Sequence, residues 1–199
     1  MKELLLGTNN KGKVEEMEDI LKHLGIQLLT PEMIGLNLEV SEDGDTYEEN
    51  ATLKATAFSK ASNLPCLADD SGLEVDALDG SPGLHSHRFS PQPGATDADR
   101  RAFLLKKLQR KPRPWKAHFH ATIVLVHPDG RVRTSEGECR GEIIPEERGS
   151  NGFGYDPIFY IPSLGRTMAE LEMEKKNQVS HRANALRNAE AAIREILDL

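Results

Sequence analysis

Near its start the chain runs Glu3-Leu-Leu-Leu-Gly7, turns polar through Thr8-Asn-Asn-Lys-Gly-Lys13, and passes at once into an amphipathic stretch. No other feature constrains the fold as strongly. A short continuous apolar run bounded by a turn reads as a buried strand. From about Gly12 to Leu24 the residues Val14, Met17, Leu21 and Leu24 recur on one helical face, and Gly25 stands where a helix ends. A strand that feeds a helix through a tight polar turn must bury both against further elements, which is how α/β proteins are built.

The pattern continues in that sense. Residues 26–29 read as a second strand, and Tyr47 to Ser62 as a helix with two possible capping boxes, Asp45 with Glu48 and Thr46 with Glu49. Residues 66–69 and 73–78 read as two short strands, and Asp97 to Gln109 as an amphipathic helix. His118 to His127 and Val132 to Arg140 flank Pro128-Asp129-Gly130, a hairpin signal. The last helix spans about Ser180 to Leu197. Loops are short and scattered, with no repeat and no linker. The expectation is α/β with a mixed sheet: one domain over residues 1–199, its two lobes set around a cleft.

Composition narrows the function. A net charge of −7 disfavours a non-specific nucleic-acid binder, so cations for an anionic ligand must be gathered locally. No apolar run approaches the roughly 20 residues that span a bilayer, and the start lacks a signal-peptide pattern, so the expected setting is cytoplasmic, away from membranes. Cys66 and Cys139 have neither a disulfide-framework nor a metal-knuckle spacing and read as reduced core residues.

Six constellations remain. Gly7 to Lys13 meets most of the GxxxxGK phosphate-loop pattern, but Val14 stands where Ser or Thr would ligate magnesium. It is either a phosphate cradle at a helix N-terminus or a polar turn with two solvated lysines. Ser41-Glu42-Asp43-Gly44-Asp45 offers oxygens for a hard cation, or simply an acidic helix entry. Asn50 and Lys54 lie on the following helix, Lys54 at the edge of its apolar face, as a phosphate contact or a snorkelling lysine. Leu67-Ala-Asp69-Asp70-Ser71-Gly72 puts adjacent carboxylates at a strand end, where alternation points them opposite ways, one free to enter a cleft, or forms an ordinary acidic turn. Gly152-Phe-Gly-Tyr-Asp156 holds an aromatic between glycines, suited to a flat ligand or to a tight turn. Lys175-Lys176 and Ser180-His181-Arg182 set basic residues around a helix N-terminus, against the macrodipole, either facing a ligand or as a solvated basic turn.

With these residues in family order, the chain resembles the pyrophosphatases of non-standard purine nucleoside triphosphates, the inosine triphosphatase family. The matching motifs are Thr8, Asn10 and Lys13; Tyr47-Glu-Glu-Asn-Ala-Thr-Leu-Lys-Ala55; Ala68 to Leu73; Pro82-Gly83 with Ser86 and Arg88; Gly152 to Pro157; and Ser180 to Arg182. Tyr47 replaces a usual Phe, and His87 stands where Ala is common. The resemblance implies an elongated mixed sheet with flanking helices and a central cleft, a homodimer, and hydrolysis of ITP, dITP or XTP to monophosphate and pyrophosphate with magnesium. By its motifs, Thr8, Asn9, Asn10, Lys11, Gly12 and Lys13 line the triphosphate, with Lys54 and Lys176 as further phosphate contacts. Glu42 and Asp70 match the magnesium-associated acids, Asp70 the general base, and Ser71 a substrate contact. Phe153, Gly154, Tyr155 and Asp156, with His181 and Arg182, match the base pocket. Arg182 and His181 are donors suited to the C6 oxygen of hypoxanthine or xanthine. A pyrophosphatase of other base preference, in the manner of the Maf group, and a nucleotide sensor without hydrolysis are the competing readings.

Overall fold

The computed structural model describes residues 2–199. The elements follow in the order β1 (Glu3–Leu6), α1 (Lys11–Leu21), β2 (Gln27–Leu29), α2 (Tyr47–Ser62), β3 (Cys66–Val75), β4 (Pro82–Gly83), α3 (Asp97–Leu108), β5 (Trp115–Val126), β6 (Val132–Ile143), β7 (Phe159–Ile161), β8 (Arg166–Thr167), α4 (Met173–Val179) and α5 (His181–Ile196). The strands form one mixed sheet ordered β2-β1-β3-β5-β6-β7-β8, with β4 on β3. The predicted α/β class with a mixed sheet is what the chain adopts.

Two compact units divide the residues. The first holds the chain up to Asp70, Ala121–Gly137 and His181–Leu199, and the second holds Ser71–His120 and Glu138–Ser180. In the first unit β1 pairs in parallel with both β2 and β3. Its alternation explains its apolar run. Leu4 and Leu6 join a core with Met17 and Leu21 of α1 and Ala185, Leu186, Ala189 and Ile193 of α5. Leu5 turns the other way, against Phe58 of α2 and Cys66. A strand covered on both faces needs no polar side, so all three leucines are buried. The second unit gathers Leu73, Leu104, Leu108, Trp115, Phe119 and Phe159 in its own core.

Three boundaries differ from expectation. Ser71-Gly72 reads as a turn, yet β3 runs unbroken from Cys66 to Val75. The antiparallel pairing of Leu73 with Gly83, and the Leu73 N–H donated to Ser86 Oγ at 2.8 Å, keep it extended. Asp69 and Asp70 therefore lie within a strand, not at its end. β5 and β6 are also longer than predicted at their outer ends. Of the two possible caps of α2 it is Thr46 that forms, accepting the Glu49 N–H, while Glu49 accepts the Asp45 N–H at 2.7 Å.

Among the described residues no helix is long and apolar enough to cross a membrane. Both cysteines are free and buried. Burial pushes the Cys66 thiol up to about 12 and the Cys139 thiol up to about 11. Since the thiolate is the nucleophile, neither should be alkylated by iodoacetamide in the native protein at mildly alkaline pH, and both should react once guanidinium unfolds it. Mass spectrometry over a time course reads this directly; rapid native labelling of either would contradict the burial described.

Candidate active site

The first unit brings together most of the charged residues singled out by the sequence, and strand parity decides which meets which. Leu67 and Asp69 share one face of β3, and Ala68 and Asp70 the other. The first face is covered by α1 and α5 and the second by α2, as the core contacts of Leu67 and Ala68 show. Each acid thus meets cations from a different helix.

On the α1 and α5 face, Asp69 is fully enclosed. Lys13 Nζ lies 3.0 Å from its Oδ1, and Arg182 donates to its Oδ2 from Nε at 3.0 Å and from Nη2 at 2.9 Å. The remaining guanidinium nitrogen, Nη1, pairs with Glu16 of α1. Burial alone would raise the Asp69 pKa; Lys13, Arg182 and Lys54 reverse this and hold the carboxyl far below the usual range. For Lys13, burial pulls the ammonium down against the attraction of Asp69, and the nearby Arg182 adds to the lowering.

On the α2 face, Lys54 Nζ stands between two acids, 3.0 Å from Glu42 Oε1 and 3.4 Å from Asp70 Oδ1. Burial opposes its charge, but Asp70, Asp69 and Glu42 outweigh that and raise its pKa. For Asp70 burial is the largest influence and wins: its pKa is raised, despite Lys54 and Lys13. Asn50 of α2 fixes the loop bearing Glu42 by accepting the Gly44 N–H at 2.8 Å. A side chain on Gly44 would strike Glu49 and Asn50, so glycine permits this close approach.

The turn before α1 is ordered by its own side chains. Thr8 Oγ1 accepts the Asn10 N–H, and Asn10 Oδ1 caps the helix on the Lys13 N–H, each at 3.2 Å. Asn9, Asn10 and Lys11 are exposed, and Thr8 and Gly12 half-buried. His181 is buried in the first turn of α5 beside Arg182.

The second unit holds the glycine-flanked aromatic. Asp156 Oδ2 accepts from the Phe153 N–H at 3.0 Å and from Lys176 Nζ at 2.6 Å, and Lys176 lies 5.0 Å from the centre of the Phe153 ring. Gly152, at φ +73°, leaves the space: a Cβ there would sit 2.1 Å from Asp156 Oδ2 and 2.8 Å from Lys176 Nζ. Tyr155 is buried and donates to the Ser86 carbonyl at 2.8 Å. Ser71, the residue after Asp70, is half-buried on β3.

Several expectations change with this geometry. Arg182 does not present its donors to an open pocket; it is 1% exposed and all three of its nitrogens are engaged by carboxylates. Lys176 is paired with Asp156, so the two, which the sequence suggests as a phosphate contact and a base contact, form one ion pair. The Tyr155 hydroxyl serves a backbone carbonyl. Glu16 is a member of the site that sequence reasoning misses. Its signal is a carboxylate one helical turn after Lys13, directly before the core residue Met17, a position that reads equally as a solvated acid.

The model of the Ham1 family matches residues 4–192, which takes in parts of both units. A dITP/XTP pyrophosphatase of Geobacter sulfurreducens is 48% identical over 187 residues, covering 94% of each chain. One from Desulforamulus reducens is 47% identical over 187 residues, 94% of this chain and 92% of that protein. Among solved structures, a HAM1 protein from Coxiella burnetii superposes with a TM-score of 0.87 at 39% identity, covering 98% of this chain and all of the other.

Proposed function

The chain belongs to the Ham1 family, and on that premise we propose that it hydrolyses deaminated purine nucleoside triphosphates, ITP, dITP and XTP, to the monophosphate and pyrophosphate. The observation that carries the proposal on the structural side is the convergence of Glu42 and Asp70 on one ammonium, Lys54, with Lys13 close by.

That convergence also supports magnesium as the metal of this site. Among the described residues no three His, Cys, Asp or Glu side chains cluster as a metal site. Magnesium, however, is usually held by one or two carboxylates, with water and substrate phosphate completing its shell. Two carboxylates that already share a cation fit that requirement, so Glu42 and Asp70 would hold it. When bound it would neutralise phosphate charge and make a bound water more acidic.

The residues themselves do the rest. Asp70, whose burial favours the protonated form, accepts the proton of the water that attacks the α-phosphorus. Lys54 and Lys13 supply positive charge to the departing pyrophosphate. Asn9, Lys11 and Gly12 offer backbone N–H groups at the positive end of α1, in a turn that Thr8 and Asn10 hold together. Asp69, held ionised by Arg182, keeps Lys13 in place. Phe153 stacks on the purine, its loop tied to Asp156 and Lys176. His181 donates to the C6 oxygen, an acceptor in hypoxanthine and xanthine that is replaced by a donor in adenine. We also propose that the protein works in the cytoplasm as a homodimer, which light scattering on the purified protein tests.

Product analysis checks the reaction class. ITP should yield IMP and pyrophosphate from the first time points, resolved by anion exchange. Early IDP would mean attack at the γ-phosphorus, and no turnover at all would favour a nucleotide sensor.

A further inference from the structure

The Phe153 segment is held from outside as well as from within. The Gly154 N–H donates to Asp97 Oδ2 at 2.8 Å, and the Gly154 carbonyl accepts from Arg101 Nη1 at 2.8 Å. These two groups belong to the peptides on either side of the Gly154 α-carbon. Gripping both fixes the φ and ψ of a glycine, which would otherwise be the freest pair in the segment. Gly154 sits at φ +61°, with nothing within 4 Å of where a Cβ would be, so local crowding does not hold it there.

Asp97 and Arg101 are four residues apart on α3 and so project from one face of the helix. Each is braced in turn. Arg101 forks onto Glu147, from Nε at 2.8 Å and from Nη2 at 2.9 Å, and its side chain is only 12% exposed. Asp97 pairs with Arg100, which also donates to the Ala95 carbonyl at 2.7 Å. Ordinary surface ion pairs on a helix do not converge on the backbone of a single glycine in a distant loop.

We infer that Asp97 and Arg101 are positioning residues that set the plane of the Phe153 ring, and so act on nucleotide binding rather than on bond cleavage. The inference rests on the stacking role proposed for Phe153. If stacking contributes equally to the bound substrate and to the transition state, its loss raises KM and leaves kcat unchanged.

The test is steady-state kinetics with ITP on the parent, Phe153→Ala, Asp97→Ala, Arg101→Met and the Arg101→Met/Phe153→Ala double variant, with Tm recorded for each. Arg101→Met and Asp97→Ala are each expected to raise KM about tenfold, the scale of one lost charge-assisted hydrogen bond, with kcat within about twofold of the parent. In the Phe153→Ala background, Arg101→Met should add nothing further, because the ring it positions is gone. If Phe153→Ala raises KM and the α3 variants do not, the inference is overturned and the stacking role stands. Additive effects in the double variant, or α3 variants that lower kcat alone, overturn it in the same way. If Phe153→Ala itself leaves KM unchanged, the stacking role fails and the inference falls with it. Should Arg101→Met prove unstable, Arg101→Lys, which keeps a cation able to hold one of the two attachments, should show a smaller rise in KM at parental Tm; no rise would count against the inference.

Discussion

Asp70→Asn is expected to lower kcat for ITP by about 10²-fold or more, the scale of losing a general base, without lowering Tm. Both halves come from its environment. The substitution keeps the shape but removes the proton acceptor and one of the two charges facing Lys54. The stability half follows from linkage. A carboxyl whose folded pKa is raised contributes stability that is fully present below its unfolded pKa and is lost as pH rises through the folded value. Burial raises Asp70 in this sense, so at neutral pH its ionised form is a cost that a neutral amide avoids. Thermal melts in metal-free buffer, beside single-turnover kinetics with magnesium, measure the two halves separately. Near-parental turnover in a folded Asp70→Asn protein would remove Asp70 from its role.

Arg182→Ala should behave in the opposite way. It leaves Asp69 and Glu16 buried without their guanidinium, and breaking one partner out of a buried ion cluster costs about 3–5 kcal/mol. For a chain of this size that corresponds to a Tm drop on the order of 10 °C. Asp69 has a depressed folded pKa, so its contribution is present above the unfolded carboxylate pKa and lost only as pH falls through the much lower folded value. The gap in Tm between parent and variant should therefore persist through mild acid. Activity should fall on ITP, XTP and ATP alike, because the damage reaches Lys13 through Asp69. A variant with parental Tm and a selective loss on ITP and XTP would restore Arg182 as a reader of the C6 oxygen.

The contrast between these two residues separates what the amino-acid order reveals from what it hides. The parity of Asp69 and Asp70 is legible, since alternation in a strand requires no tertiary knowledge. So are the three leucines of β1 and the helix over Tyr47 to Ser62. The two faces of β3 are not, because their assignment depends on which helices cover them. The partners of Arg182 are hidden for the same reason: four basic residues around a helix N-terminus read as facing a ligand until Glu16, on a helix far away in sequence, is seen to accept from one of them. Lys176 reads as facing a phosphate because its partner Asp156 reads as facing the base. Ser71-Gly72 misleads because turn propensity is a local signal, and pairing with β4 overrides it.

The arrangement on β3 also limits how the gene can vary. A single residue deleted upstream of Asp69 within the strand would hand Asp70 to the Arg182 side and give Lys54 a serine. A single residue inserted there would hand Asp69 to Lys54 and set Ala68 opposite Arg182 and Lys13, leaving Arg182 with Glu16 alone and Lys13 without its carboxylate. Substitutions in the apolar part of the strand trade volume for volume, but a frame-preserving change of one codon here exchanges the occupants of two charge networks at once. Viable length changes between Leu64 and Asp69 should therefore be confined to the loop before Cys66, and a scan of codon insertions through residues 63–70 should show activity ending sharply at that strand boundary.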